Sequence, residues 1–301
     1  MALAAEPRPA SLPLPGGEAD ATVRLTPLLC ATMSAPPIIG RREEGRLASL
    51  KALGFGVSRA DYVKAPVPAF LVEHPGAGRL LVDTGFHPAV AVDPKQGMGR
   101  LGGLIFKDLQ MDASQAVAAQ LRERDIDPAS VRTVVMTHLH ADHASGIAEF
   151  PAATFIVSQA EWDAASEGGE REGYLRRQFD HAFDYRLLDF EGSGTDSFAT
   201  FGRSHDLFGD GSVRICFTPG HTAGHCSVVL RLGEREALLT GDAAFTMDTI
   251  RESWMPFLMD DEHRYRRSLR EIQLYVQQTP GALIIPGDDM QLWETLQNSY
   301  A

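Results

Sequence analysis

From Thr22 onward the chain alternates short apolar runs with amphipathic stretches, and no linker interrupts the pattern. Val67–Glu73 and Arg79–Asp83 are apolar runs of strand length joined by Pro75-Gly76-Ala77-Gly78, which predicts a β-hairpin. Asp112 stands where it can cap a helix carrying Val117 and Leu121 on one face. That helix should end before Asp127-Pro128, after which Val131–Thr137 reads as a buried strand. The second half repeats the grammar. Asp210-Gly211 turns into Val213–Thr218, where Val213, Ile215 and Phe217 alternate on one face. Ser227–Leu232 and Ala237–Thr240 follow as strands, separated by the charged turn Gly233-Glu234-Arg235-Glu236. Tyr265, Leu269, Ile272 and Val276 recur at helical spacing and predict a long helix, stopped by Pro280-Gly281. Ala282–Ile285 is a last short strand and Gln291–Gln297 a last helix. Residues 167–203, polar and Gly-rich in places, read as a tolerated insertion, with a substrate-covering segment as the alternative.

Strands followed by helices, twice over, predict an α/β fold of two packed sheets with helices outside. Residues 1–21 are rich in Ala and Pro and lack a basic head before an apolar stretch. They are expected to form a disordered leader rather than a signal peptide, with 22–301 a single domain. No apolar run approaches the ~20 residues that cross a bilayer. The formal net charge of -12 opposes binding to nucleic acid or to an anionic membrane, both of which need clustered Lys and Arg. Cys30, Cys216 and Cys226 are odd in number and at no metal-binding spacing. Cys216 and Cys226 fall in apolar strand patterns and are expected to be buried thiols, which suits a cytoplasmic protein.

The densest chemistry lies in Thr137-His138-Leu139-His140-Ala141-Asp142-His143, directly after a predicted buried strand. In extended chain, residues two apart point the same way, so His138 and His140 present both imidazoles to one side. The chain must then turn, which lets Asp142 and His143 approach from another direction. Imidazole and carboxylate together suit zinc, iron or manganese, and a cluster this dense can hold two ions. His221, Asp242 and Asp288 each sit just beyond a predicted strand, at the kind of edge where α/β enzymes assemble their sites.

With these residues in view, the chain resembles the metallo-β-lactamase-fold hydrolases, and within them the N-acyl-homoserine lactonase group. The carrying motifs are the His138–His143 cluster, Thr218–Ser227, Thr240-Gly241-Asp242 and Pro286-Gly287-Asp288-Asp289, with Val67–His74 and Leu81-Val82-Asp83-Thr84-Gly85 upstream. The resemblance implies a four-layer αββα sandwich with a dinuclear site at the sheet edge, zinc favoured and manganese or iron as alternatives. It implies that His138, His140 and His221 hold one ion, that Asp142, His143 and Asp288 hold the other, and that Asp242 bridges them. It further implies hydrolysis of a small uncharged lactone or related ester by a bridging hydroxide, with Asp142 orienting the water or taking its proton. Other esters, thioesters or phosphotriesters are the alternatives, as is a mono-iron thiol oxidoreductase or a degenerate binding protein of the same fold. A homodimer is compatible with this reading.

Two positions depart from the group. Asp288 stands where the last ligand is normally His. Two divalent ions with three carboxylates and one hydroxide then sum to zero charge, which favours harder ions. Phe245 stands where many members of the group carry Tyr, and Phe donates no hydrogen bond. Several other residues are left outside the expected ligand set. His225 is expected to hydrogen-bond within its turn and His263 to be exposed, while His74 and His87 fall in turns. Asp83 is expected to orient a ligand histidine. Trp254, Phe257 and Phe106 are read either as pocket wall or as core.

Overall fold

The computed structural model describes residues 3–301, the side chain of Leu101 apart. One sheet contains β1 (Arg8–Pro9), β2 (Arg24–Ala35), β3 (Val63–His74), β4 (Gly78–Val82), β5 (Lys107–Gln110), β6 (Thr133–Val135), β7 (Thr154–Ser158) and β8 (Asp184–Leu188), in spatial order β1-β8-β7-β6-β4-β3-β2-β5. The other contains β9 (Asp196–Phe198), β10 (Phe201–Asp206), β11 (Val213–Phe217), β12 (Cys226–Arg231), β13 (Glu236–Gly241) and β14 (Leu283–Pro286), in order β14-β13-β12-β11-β10-β9.

The alternation of side chains along each strand explains the layering. In β4, Leu80 and Val82 enter the core between the two sheets, while Leu81 points the other way, toward Val117, Leu121 and Ile147 beneath the outer helices. In β11, Val213, Ile215 and Phe217 join the intersheet core, and Cys216 packs with Tyr265, Leu269 and Ile272 of the helix Glu262–Gln278. Strands buried on both faces read as continuous apolar runs. The result is helix, sheet, sheet, helix, as the sequence implied. All three cysteines are buried free thiols. Among the described residues no helix is long and apolar enough to cross a membrane.

Three local expectations are changed. Asp112 caps a 3-10 turn, Ala113–Gln115, through a capping box, and the helix Val117–Arg122 starts after it. The last helix is shorter than expected, Met290–Trp293. Residues 167–203 are no mere insertion: β8 is an inner strand of the first sheet, hydrogen-bonded to both β1 and β7, and Glu170–Leu175 wall a cavity. Tyr174, Leu175 and Phe179 are buried there, which anchors the polar stretch.

The disordered leader expected from composition is also replaced. Residues 3–21 run along the domain, with β1 pairing β8 in parallel at the sheet edge, a place that tolerates Pro9. Asp180 Oδ1 accepts from Ala4 N at 2.6 Å and Ala5 N at 3.0 Å, and Ala5 is buried. Leu12 and Leu14 pack on the intersheet core. The Arg8–Asp184 ion pair is half in solvent and adds little. Deleting residues 1–20 is therefore expected to lower Tm by several degrees, at ~2–4 °C per kcal/mol lost in a domain of this class. A thermal melt of the truncated chain that matches the intact one would show that these contacts contribute nothing in solution.

Candidate metal centre

The parallel strands β4 and β6 end side by side, Val82 opposite Val135, and the chemistry begins just past them. Asp83 takes a left-handed backbone, φ 59°, which Asp tolerates better than most residues. Its N–H donates to Val135 O at 2.9 Å, which fixes where its carboxylate points. That carboxylate accepts from Thr137 N at 2.8 Å, Thr137 Oγ1 at 2.8 Å and His143 Nδ1 at 2.9 Å. With its Nδ1 proton so placed, His143 turns Nε2 inward, 3.4 Å from Asp242 Oδ1 and 3.9 Å from Asp142 Oδ2. Asp83 thus orients a candidate ligand, as expected.

The His140 ring is held in the same manner. His140 Nε2 donates to the carbonyl of Glu172 at 2.9 Å, leaving Nδ1 3.0 Å from His221 Nε2. His221 Nε2 also lies 3.2 Å from Asp242 Oδ2. His138 is fully buried, and its Nε2 has no hydrogen-bond partner. His225 accepts from Asp242 N at Nε2, 3.0 Å, so its proton sits on Nδ1 and donates to Thr218 Oγ1 at 3.0 Å. It reaches beyond its own turn to brace the backbone of Asp242, and it is no ligand. Gly287 permits this crowding, since a Cβ there would lie 2.7 Å from Asp242 Oδ1.

Two sets of candidate ligand atoms come within 4.8 Å of one another: those of His138, His140 and His221, and those of His138, His143 and Asp242. Asp142, in the short helix Ala141–Ala144, and Asp288, just past β14, border the same cavity. Asp288 N donates to Phe245 O at 2.8 Å, which sets it beside the Asp242–Phe245 loop. Phe245 places its ring edge-on to His221, centroids 5.6 Å apart. His263 is exposed, His74 is paired with Asp210 at 2.9 Å, and His87 lies 3.6 Å from Glu149, so none enters the site. Phe106 lines the cavity, Phe257 packs in a small core beside it, and Trp254 lies under Arg41.

The electrostatics are those of a site short of positive charge. Burial and the neighbouring histidines push the His138 imidazole far below its usual range; burial also lowers His221, and His225 falls to about 3. Burial opposes charge on His143 as well, but Asp83, Asp142 and Asp242 together hold it above its usual range. Burial raises Asp142, with Asp242 adding to the effect. Burial, then repulsion from Asp242 and Asp142, raises Asp288 well above a normal carboxyl. Asp242 is the exception, kept low despite burial by His221 and His143. The imidazoles of His138 and His221, both pushed down toward the neutral form, the unpartnered His138 Nε2 and Asp242 Oδ1, and the crowded carboxylates form a donor set that fits divalent cations.

The cavity above this floor holds about 480 Å³ and carries Met33, Ile39, Ile105, Phe106 and Leu258 on its walls. Its wall also includes Glu172, Gly173 and Tyr174, contributed by the polar stretch 167–203. Two contributors stand out little in the sequence, the carbonyl of Glu172 and the buried Glu161. The first has no side-chain signature. The second shares a helix face with Trp162 and Ala165, and that shared face was the available clue.

The chain matches the family described as the metallo-beta-lactamase superfamily over residues 63–289. It is 34% identical over 247 residues to an N-acyl homoserine lactonase AttM of Rhizobium radiobacter, covering 80% of this chain and 88% of the relative. Among solved structures, a mutant AiiA of B. thuringiensis with N-decanoyl-L-homoserine bound at the active site superposes with a TM-score of 0.73 at 20% identity, over 92% of this chain and 97% of the other. AidC, a dizinc quorum-quenching lactonase in complex with a product, superposes with a TM-score of 0.61 at 14% identity, over 92% and 90%. By sequence match and by fold, the chain belongs to the metallo-beta-lactamase superfamily and stands among its metallo-hydrolases.

Proposed function

We propose that the chain hydrolyses lactones, N-acyl homoserine lactones foremost, with two divalent ions at the floor of the cavity. The observation that carries the reading is the juxtaposition of two ligand sets with unpartnered inward atoms and an apolar chamber of substrate size. The curated relative and the product-bound structural neighbours support the substrate class. His138, His140 and His221 are assigned to one ion, Asp142, His143 and Asp288 to the other, and Asp242 to both. Zinc is favoured, in keeping with the dizinc neighbour, and manganese or iron are the alternatives that a third carboxylate invites. Bound ions would polarise the ester carbonyl and lower the pKa of the attacking water.

The protein's own groups have separate tasks. Asp83 and the Glu172 carbonyl keep His143 and His140 in the tautomers that face the floor. Asp142 orients the attacking water and takes its proton; the water oxygen bonds to the carbonyl carbon, the ring C–O bond breaks, and Asp142 returns the proton to the leaving oxygen, giving a hydroxyl and a carboxylic acid that ionises to carboxylate. The apolar walls receive the uncharged acyl part and keep bulk water from the reacting carbonyl. Phe245 donates nothing to the substrate; it packs against His221.

Protein reconstituted with zinc, manganese or iron is expected to release acid from N-acyl homoserine lactones, measured by pH-stat, with no uptake of oxygen. Absence of turnover on lactones and aryl esters with every metal would sink the reading. Asp288→Ala is expected to bind one ion per chain where the parent binds two, counted by plasma emission, with kcat reduced more than about tenfold. An unchanged count would remove Asp288 from the ligand set. Stripping the ions with a chelator should lower Tm by several degrees and re-addition should restore it, because ions that bind only the folded chain stabilise it. A melt indifferent to chelator would mean that the site holds no tightly bound ion.

A further inference from the structure

Glu161 lies outside the proposed ligand set, yet it is fully buried in the short helix Gln159–Glu167 that follows β7. Every lone-pair direction of its carboxylate is used. Oε1 accepts from Leu139 N at 2.9 Å and Tyr174 Oη at 3.1 Å; Oε2 accepts from Thr222 Oγ1 at 2.6 Å and Gly224 N at 3.2 Å. These donors come from three separate segments of chain. Leu139 sits between His138 and His140, Thr222 follows His221, and Tyr174 stands in the cavity wall, bridged by backbone to His140.

A carboxylate in a dry core is costly even when fully hydrogen-bonded, and an apolar residue would serve packing at least as well. A reason other than packing is therefore needed at this position. The His221 loop is also pressed onto the same helix, since a Cβ on Gly224 would come within 2.5 Å of Glu161 Cα. Backbone N–H groups of both histidine-bearing loops thus end on one side chain, one loop on each oxygen.

We propose that Glu161 is a positioning residue for the metal centre: it clamps the His138–His140 segment and the His221 loop at a fixed separation and ties both to the Tyr174 wall. That separation sets the 3.0 Å approach of His140 Nδ1 to His221 Nε2. The proposal rests on the metal reading given above. It makes a sharp demand of the isosteric change Glu161→Gln. Whichever way the amide turns, its NH₂ faces a backbone N–H, of Leu139 or of Gly224, that cannot reverse its polarity. One loop must then give way.

The test is a cobalt(II) titration of the full chain, Glu161→Gln and Thr222→Val, following the d–d absorption bands, with affinity from chelator competition and Tm of the metal-free proteins in parallel. Glu161→Gln is expected to weaken cobalt binding by about 10–100-fold, the range for partners that orient metal ligands. Its d–d spectrum should shift as the three-histidine geometry loosens. Thr222→Val, which releases one contact to the His221 loop, should shift both in the same direction by less. A folded Glu161→Gln with a lower Tm but unchanged cobalt affinity and spectrum would make the residue merely structural and overturn the proposal. If Glu161→Gln does not fold, Thr222→Val decides alone, and unchanged affinity and spectrum there overturn it. A parent protein that takes up no cobalt removes the metal reading and this proposal with it, an outcome distinct from a variant effect that fails to appear.

Discussion

Imidazoles and carboxylates buried side by side satisfy one another unless something else holds them apart. Left to themselves, the rings of His138, His140, His143 and His221 would turn their protons onto Asp142, Asp242 and Asp288. The structure counters this at two of the rings by giving the outward nitrogens of His143 and His140 acceptors of their own, Asp83 and the Glu172 carbonyl. The lone pairs that remain face the floor of the cavity. This arrangement depends on the sheet. Asp83 is aimed by the hydrogen bond from its N–H to Val135 O, and that bond exists because β4 and β6 run parallel in register. A slip of one residue would turn the Asp83 carboxylate to the opposite face and leave His143 without its partner.

The same constraint explains why the site lies where it does. Strand termini supply backbone that has left the ladder and can turn, while the strands behind remain fixed. Asp83 leaves β4, His138 follows β6, His221 follows β11, Asp242 follows β13 and Asp288 follows β14. Five separate segments therefore meet over a core that holds them rigidly. Braces from outside the candidate ligand set complete the frame: His225 under the backbone of Asp242, and Glu161 beneath the two histidine loops.

How much of this could be read from the chain depends on how local each feature is. The His138–His143 cluster was legible because its residues are contiguous and follow an apolar strand. His221, Asp242 and Asp288 were legible only as repeats of one pattern, polar residue after strand, and by resemblance. The sandwich followed from strands buried on both faces, such as Leu80-Leu81-Val82, whose runs are apolar throughout. The N-terminal segment was not legible, because a two-residue edge strand leaves no periodicity. Residues 167–203 misled for a related reason. Their surface is polar while Tyr174, Leu175 and Phe179, which anchor them, are spaced irregularly. The role of Glu161 was not legible, since the donors to its carboxylate arrive from 22 and 61 residues away.

The two departures from the lactonase pattern meet in space, and they are best understood together. The N–H of Asp288 donates to the carbonyl of Phe245, so the extra carboxylate and the missing hydroxyl belong to one small unit. In the proposed site, a third carboxylate holds cations more strongly but leaves less net positive charge to activate water and polarise an ester. The Phe245 ring faces His221 edge-on and removes a polar group from the cavity side. In the proposed site, the exchange of Tyr and His for Phe and Asp would move the balance from activation by charge and hydrogen bonding toward firm ion retention. Under the proposed function, that balance would suit an uncharged, acyl-bearing substrate better than a polyanion, which three carboxylates would repel.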